Sequence, residues 1–91
     1  MPHMSDRLEK IRLQLVTLNP TALELIDESY KHAGHAGAAS GGGHYVLRIV
    51  STQFIGKNTV ARHRMIYLAL GEMMKQEIHA LTIQALAPSE I

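Results

Sequence analysis

The stretch Gly56-Lys57-Asn58-Thr59-Val60-Ala61-Arg62-His63-Arg64-Met65-Ile66-Tyr67-Leu68-Ala69-Leu70-Gly71-Glu72-Met73-Met74-Lys75-Gln76-Glu77-Ile78-His79-Ala80-Leu81-Thr82-Ile83-Gln84-Ala85 decides the fold, because its apolar residues change period partway along. From Val60 to Met74 they recur at helical spacing. Tyr67, Leu70 and Met74 form one face, widened by Met65, Ile66 and Ala69. From His79 to Leu86 they alternate: Leu81, Ile83 and Ala85 stand against Thr82 and Gln84, the pattern of a half-buried strand. A turn at Gly56 separates this unit from what precedes it.

Working outward, His44 to Thr52 reads as another strand, with Tyr45, Leu47 and Ile49 alternating against Val46, Arg48 and Val50. Strand, helix and strand in succession predict a right-handed crossover that lays the last strand parallel to the second. Thr21 to Tyr30 reads as the first strand, placing Leu23 and Leu25 on one face and Ala22, Glu24 and Ile26 on the other. Pairing it antiparallel to the second strand brings Glu24 near Arg48. Residues 5–18 read as an amphipathic helix with Ser5 at its N-cap and an apolar stripe of Leu8, Ile11, Leu15 and Leu18. Asn19-Pro20 stops it, because the residue before proline is pushed out of the α region. The predicted fold is therefore α+β, a two-layer sandwich in the order α-β-β-α-β. Its three-stranded mixed sheet carries both helices on one face and leaves the other open.

The 91 residues fit one domain, residues 4–87, with no room for a second core. Met1-Pro2-His3 before Met4 reads as a cloning remnant, and residues 88–91 as a loose tail. The hydrophobic fraction of 46% is that of a folded chain. No apolar run reaches the length of a membrane span and no signal-peptide pattern is present, so a cytoplasmic protein is expected. A formal charge of +1 is too small for nucleic-acid binding by bulk electrostatics, which leaves only a local basic patch. With no cysteine, the chain has no disulfide and no thiol nucleophile, and any sulfur on a metal must come from a partner. It also lacks a Gly-x-Ser-x-Gly elbow and a phosphate-binding glycine motif. Asp27 and Glu28 are adjacent on a strand and so point to opposite faces rather than forming a carboxylate pair. An enzyme is not expected.

Between the first two strands, Lys31 to Gly43 holds five glycines and four alanines and no large apolar residue. A loop of this length in so small a domain is functional or disordered. It carries His32 and His35.

Asp27-Glu28-Ser29-Tyr30-Lys31-His32, Phe54-Ile55-Gly56, Arg62-His63-Arg64-Met65-Ile66-Tyr67 and Ile78-His79-Ala80-Leu81 occur in that order. In residues and spacing they resemble the BolA family over nearly all of residues 5–87. The resemblance implies a fold similar to the class II KH domain, in agreement with the topology read above. It implies no enzymatic activity. It implies instead a partner, a monothiol glutaredoxin, with which a bridging [2Fe-2S] cluster is shared for iron–sulfur maturation or iron sensing. For some bacterial members it implies DNA-binding transcriptional regulation of cell shape and stress response.

In the family the histidine of the His-Ala-Leu motif is a cluster ligand, and His79 matches it; read without the family, His79 is a half-buried histidine at a turn. His32 matches the loop position of the second ligand, and His35, three residues on, is an alternative to it. His44 reads as a partly exposed strand residue. His63, flanked by Arg62 and Arg64, reads as structural or partner-facing, since the flanking charges disfavour a cation there. A [2Fe-2S] cluster takes four ligands, for which imidazole and thiolate suit iron. This chain offers imidazole alone, so a glutaredoxin cysteine and glutathione are expected to complete the set, and the isolated chain, a monomer or weak dimer, is expected to hold no cluster. Lys57, Arg62 and Arg64 cluster at the start of the second helix, where phosphate contact is favoured, and are candidates for double-stranded DNA or for a partner's acidic face. Gly56-Lys57-Asn58-Thr59 keeps only the first glycine of the KH Gly-x-x-Gly clamp, and base stacking is poorly supplied, with one phenylalanine and no tryptophan.

Overall fold

The computed structural model describes residues 4–28 and 43–91. Helix α1 spans Met4–Leu15 and tightens into a 3-10 turn over Val16–Leu18. The helix backbone begins before Ser5, which therefore lies inside it rather than at its cap. Asn19 ends the segment in the left-handed conformation (φ 49°), one of the few non-glycine residues that tolerate it, and its N–H closes on the Val16 carbonyl at 2.9 Å. Strand β1 is Ala22–Asp27, β2 is Gly43–Val50 and β3 is Ile78–Leu86. Between β2 and β3 lie a 3-10 turn, Thr52–Phe54, then α2 at Thr59–Leu70 and a short helix α3 at Met73–Gln76.

The sheet order is β1-β2-β3, with β1 antiparallel and β3 parallel to β2. Glu24 stands opposite Arg48, and their side chains pair at 3.3 Å as the alternation predicts. Ile11 and Leu15 of α1, Ile66 and Leu70 of α2, and Tyr45, Leu47 and Ile49 of β2 share one buried core. Both helices therefore cover the same face of the sheet. The other face is open: Glu24 and Ile26 are exposed there, and Thr82 and Gln84 are exposed on β3.

Three further features, of α2 and the chain end, differ from the sequence reading. The second helix does not run through to Met74. Gly71 takes a positive φ of 55°, which an L side chain resists, and caps α2 through its N–H to the Tyr67 carbonyl at 2.9 Å. The core face of α2 is Ile66 and Leu70, whereas Tyr67 and Leu68 face solvent. Because α2 is apolar on both faces, periodicity alone gives no preference for the side that turns inward. Finally, Pro88–Glu90 form a turn of 3-10 helix tied to α2 where the sequence suggests a loose tail.

Ser51 is the buried polar residue at the end of β2. Its hydroxyl donates to the Leu18 carbonyl at 2.6 Å and accepts from the Gln53 N–H at 3.1 Å. Its own N–H donates to the Leu86 carbonyl at 3.0 Å. It thus ties the ends of α1 and β3 to the turn that leads into α2.

Candidate functional site

His79 sits at the start of β3, and the sheet register places it unusually. Gly43 opposes Ile78, but His44 opposes Ala80, so His79 is the extra residue of a β-bulge. Strict alternation would put His79 on the face of Leu81. The bulge breaks it: Ile78 points into the core at 3% exposure, and His79 is exposed. Bulges re-aim side chains at sheet ends in this way. The strand end beneath it is anchored, with the Gly43 N–H donating to the Glu77 carbonyl at 3.1 Å and the Glu28 N–H to the His44 carbonyl at 2.8 Å. Glu77 also accepts from the Lys10 ammonium at 3.2 Å. Tyr45 lies fully buried with its ring folded over Gly43, and burial pushes its hydroxyl pKa up, partly offset by nearby Arg7. His44 is half-buried on the neighbouring strand, and its carbonyl is engaged. His32 and His35 lie outside the described residues. Among the described residues, no group of three or more His, Asp or Glu stands together as a metal site. These residues thus offer His79 as one imidazole donor at a sheet edge, which suits a shared ligand set.

The second candidate region lies at the other end of β3. Ala85 lies six positions on from His79, roughly 20 Å along the strand. The turn carries Gly56 at φ 76°, and Asn58 caps α2 by accepting the Ala61 N–H at 2.8 Å. Arg62 does not stand open to a phosphate. Its guanidinium grips Glu90 through two bonds, 2.6 and 2.9 Å, and donates to the carbonyls of Lys57 at 2.8 Å and Ala85 at 3.0 Å. It also lies 5.9 Å from the Phe54 ring centre, and its side chain is 11% exposed. The fork therefore closes the last turn of the chain onto α2, and leaves Lys57 and Arg64 as the exposed cations of the predicted patch. The Arg62 hydrogen bonds, then the Ala87 N–H, hold the Glu90 carboxyl down at about 2. His63 is half-buried and meets Tyr67 edge to face, ring centres 6.5 Å apart.

Two residues escaped the sequence reading. Nothing in the pattern marks Ser51. Glu90 did have a signal: proline followed two residues later by glutamate is a helix-start pattern, which the expectation of a loose tail passed over.

The family model described as BolA-like protein matches residues 15–90. SufE-like protein 1, chloroplastic/mitochondrial, of Arabidopsis thaliana is 47% identical across 94% of this chain, which corresponds to 23% of that protein. The DNA-binding transcriptional regulator BolA of Escherichia coli is 40% identical across 82% of this chain and 66% of its own length. This chain thus spans about a quarter of the first relative and just under two thirds of the second. The solved BolA domain of SufE1 from Arabidopsis thaliana superposes with a TM-score of 0.83 at 44% identity, covering 98% of this chain and all of that one. No helix among the described residues is long and apolar enough to cross a membrane. With a family match over most of its length and the same three-stranded architecture, this chain belongs to the BolA-like protein family.

Proposed function

We propose that this chain is a non-catalytic adaptor that binds a monothiol glutaredoxin and shares a [2Fe-2S] cluster with it, in iron–sulfur maturation or iron sensing. The observation that carries the reading is His79, set on a bulge at the exposed end of the sheet in a chain without cysteine. His79 would hold one position of the cluster and a histidine of the 31–43 segment, His32 or His35, a second. The partner's cysteine and glutathione would supply the thiolates. The cluster, when bound, supplies iron whose potential is raised by imidazole in place of thiolate. The chain's own part is to present the ring. The bulge aims it outward, and Gly43, Tyr45 and Ile78 keep the strand end beneath it fixed.

Cluster-loaded glutaredoxin mixed with this protein should change its visible circular dichroism, and His79→Ala should abolish that change. A spectrum indifferent to His79→Ala removes the ligand role. A second reading, DNA-binding regulation, is supported by the exposed Lys57 and Arg64 at the start of α2. With Arg62 engaged by Glu90, binding should depend on Lys57 and Arg64, and should fall steeply with added salt. A Lys57→Ala, Arg64→Ala double variant that binds DNA as well as wild type rules the patch out.

A further inference from the structure

Helix α2 exposes a second apolar stripe that the fold does not use. Val60, Tyr67 and Leu68 are 63%, 42% and 77% exposed, and with Arg64 they fall at the i, i+4, i+7, i+8 positions of one helix face. Val60, His63, Arg64 and Tyr67 line a shallow groove along that face. The same helix has already spent Ile66 and Leu70 on the core, so its outer apolar residues are in excess of what folding needs. Its charge is one-sided. Residues 59–70 contain no carboxylate, and among the described residues Lys57 and Arg64 form no ion pair, whereas Lys10, Arg12, Arg48, Arg62 and Lys75 each face a glutamate.

We propose that the outer face of α2 docks an acidic, amphipathic helical segment of a partner protein. Its apolar side would lie against Val60, Tyr67 and Leu68, and its carboxylates would meet Arg64 and Lys57. The helix-in-groove mode needs anchors at this spacing and a complementary rim, and both are present. Nucleic acid fits less well: two cations remain for phosphates, and the most exposed residue of the face, Leu68, has nothing to offer a sugar–phosphate backbone. The N-terminal end of this face lies beside the Ala85 end of β3, where Arg62 reaches the Ala85 carbonyl at 3.0 Å. The inference does not depend on cluster sharing.

The test is a titration of isotope-labelled protein followed by amide chemical shifts at physiological salt. Three probes are used: an acidic peptide of about 16 residues, roughly four turns, with leucines on one helical face; its scrambled isomer of equal charge; and a short DNA duplex. The amphipathic peptide should shift amides of residues 57–71. Leu68→Glu and Val60→Glu, both at exposed positions, should each weaken it by about tenfold, the size expected for an anchor. Ile26→Glu, on the open sheet face, should not. Circular dichroism of each variant shows that the fold is retained. The proposal is overturned if the scrambled peptide binds as well, if the shifts lie elsewhere, if the duplex binds this face more tightly than the peptide, or if no probe binds at millimolar concentration.

Discussion

Gly43→Ala is a small change with a cost that can be worked out from contacts. A Cβ at this position would stand 2.5 Å from the Tyr45 hydroxyl oxygen, 2.6 Å from its Cε2 and 2.7 Å from its Cζ. Real Cβ atoms do not approach that closely, so something has to shift. Tyr45 is fully buried, and its ring cannot swing away without disturbing Leu47, Ile49 and the helices above them. Forcing an extra methyl into a packed core costs about 1–3 kcal/mol. The backbone at Gly43 has no positive φ, so alanine also stiffens the unfolded chain, which returns roughly 0.4–1 kcal/mol. The net expectation is a loss of about 1–2 kcal/mol, or roughly 4–16 °C in Tm for a domain of this size. Urea unfolding followed by far-ultraviolet circular dichroism measures it, and a double-mutant cycle assigns it. Tyr45→Phe removes the oxygen but leaves Cε2 and Cζ in place, so it should relieve little of the penalty. Tyr45→Leu removes the ring and should relieve most of it, giving a coupling of about 1 kcal/mol. If Gly43→Ala is as stable as wild type, or costs the same with and without the ring, the packing argument for this strand end is wrong.

Ser51→Ala should destabilise by about 1–3 kcal/mol, since it strands the buried Leu18 carbonyl and the Gln53 N–H together; a urea midpoint unchanged from wild type refutes this. Glu90→Gln should lower Tm at neutral pH. The Glu90 carboxyl is held below its ordinary value of 4.5, at about 2, so its contribution is complete above 4.5 and is lost as the pH falls toward 2. The gap between wild type and Glu90→Gln should therefore close across that window, and thermal melts at stepped pH that show a constant gap would refute the clamp. His79→Ala should leave the urea midpoint within about 0.5 kcal/mol of wild type, because an exposed side chain on a bulge contributes little to packing; a larger loss would give His79 a structural role.

The strands were legible in the sequence because each buries one face, and alternation has a single solution there. Glu24 opposite Arg48 follows from register alone. Helix α1 was legible because Leu8, Ile11 and Leu15 recur on one stripe that packs on the core, with Leu13 exposed outside it. Helix α2 was harder: apolar residues on both faces made Tyr67 as plausible a core residue as Ile66, and packing into the core shared with α1 and the sheet decided between them. At the candidate sites the residue types were readable but their engagements were not. Arg62 and Arg64 look alike two positions apart, yet one is locked by Glu90 from the far end of the chain and the other is free of that contact. The exposure of His79 depends on one extra residue in a ladder, a local irregularity that no periodicity records.

The tie at Ser51 divides the molecule in time as well as in space. Its partners come from segments 33 residues back and from the last strand, so those bonds form together only when all of the chain is in place. Its amide should exchange with solvent only through global unfolding, among the slowest in the protein. At the opposite end the bulge leaves His79 outside the ladder, so its own amide can open without the anchored strand end beneath it. A ligand taken up there would slow exchange at that end first, and hydrogen exchange could follow its arrival while the Ser51 amide stays unchanged.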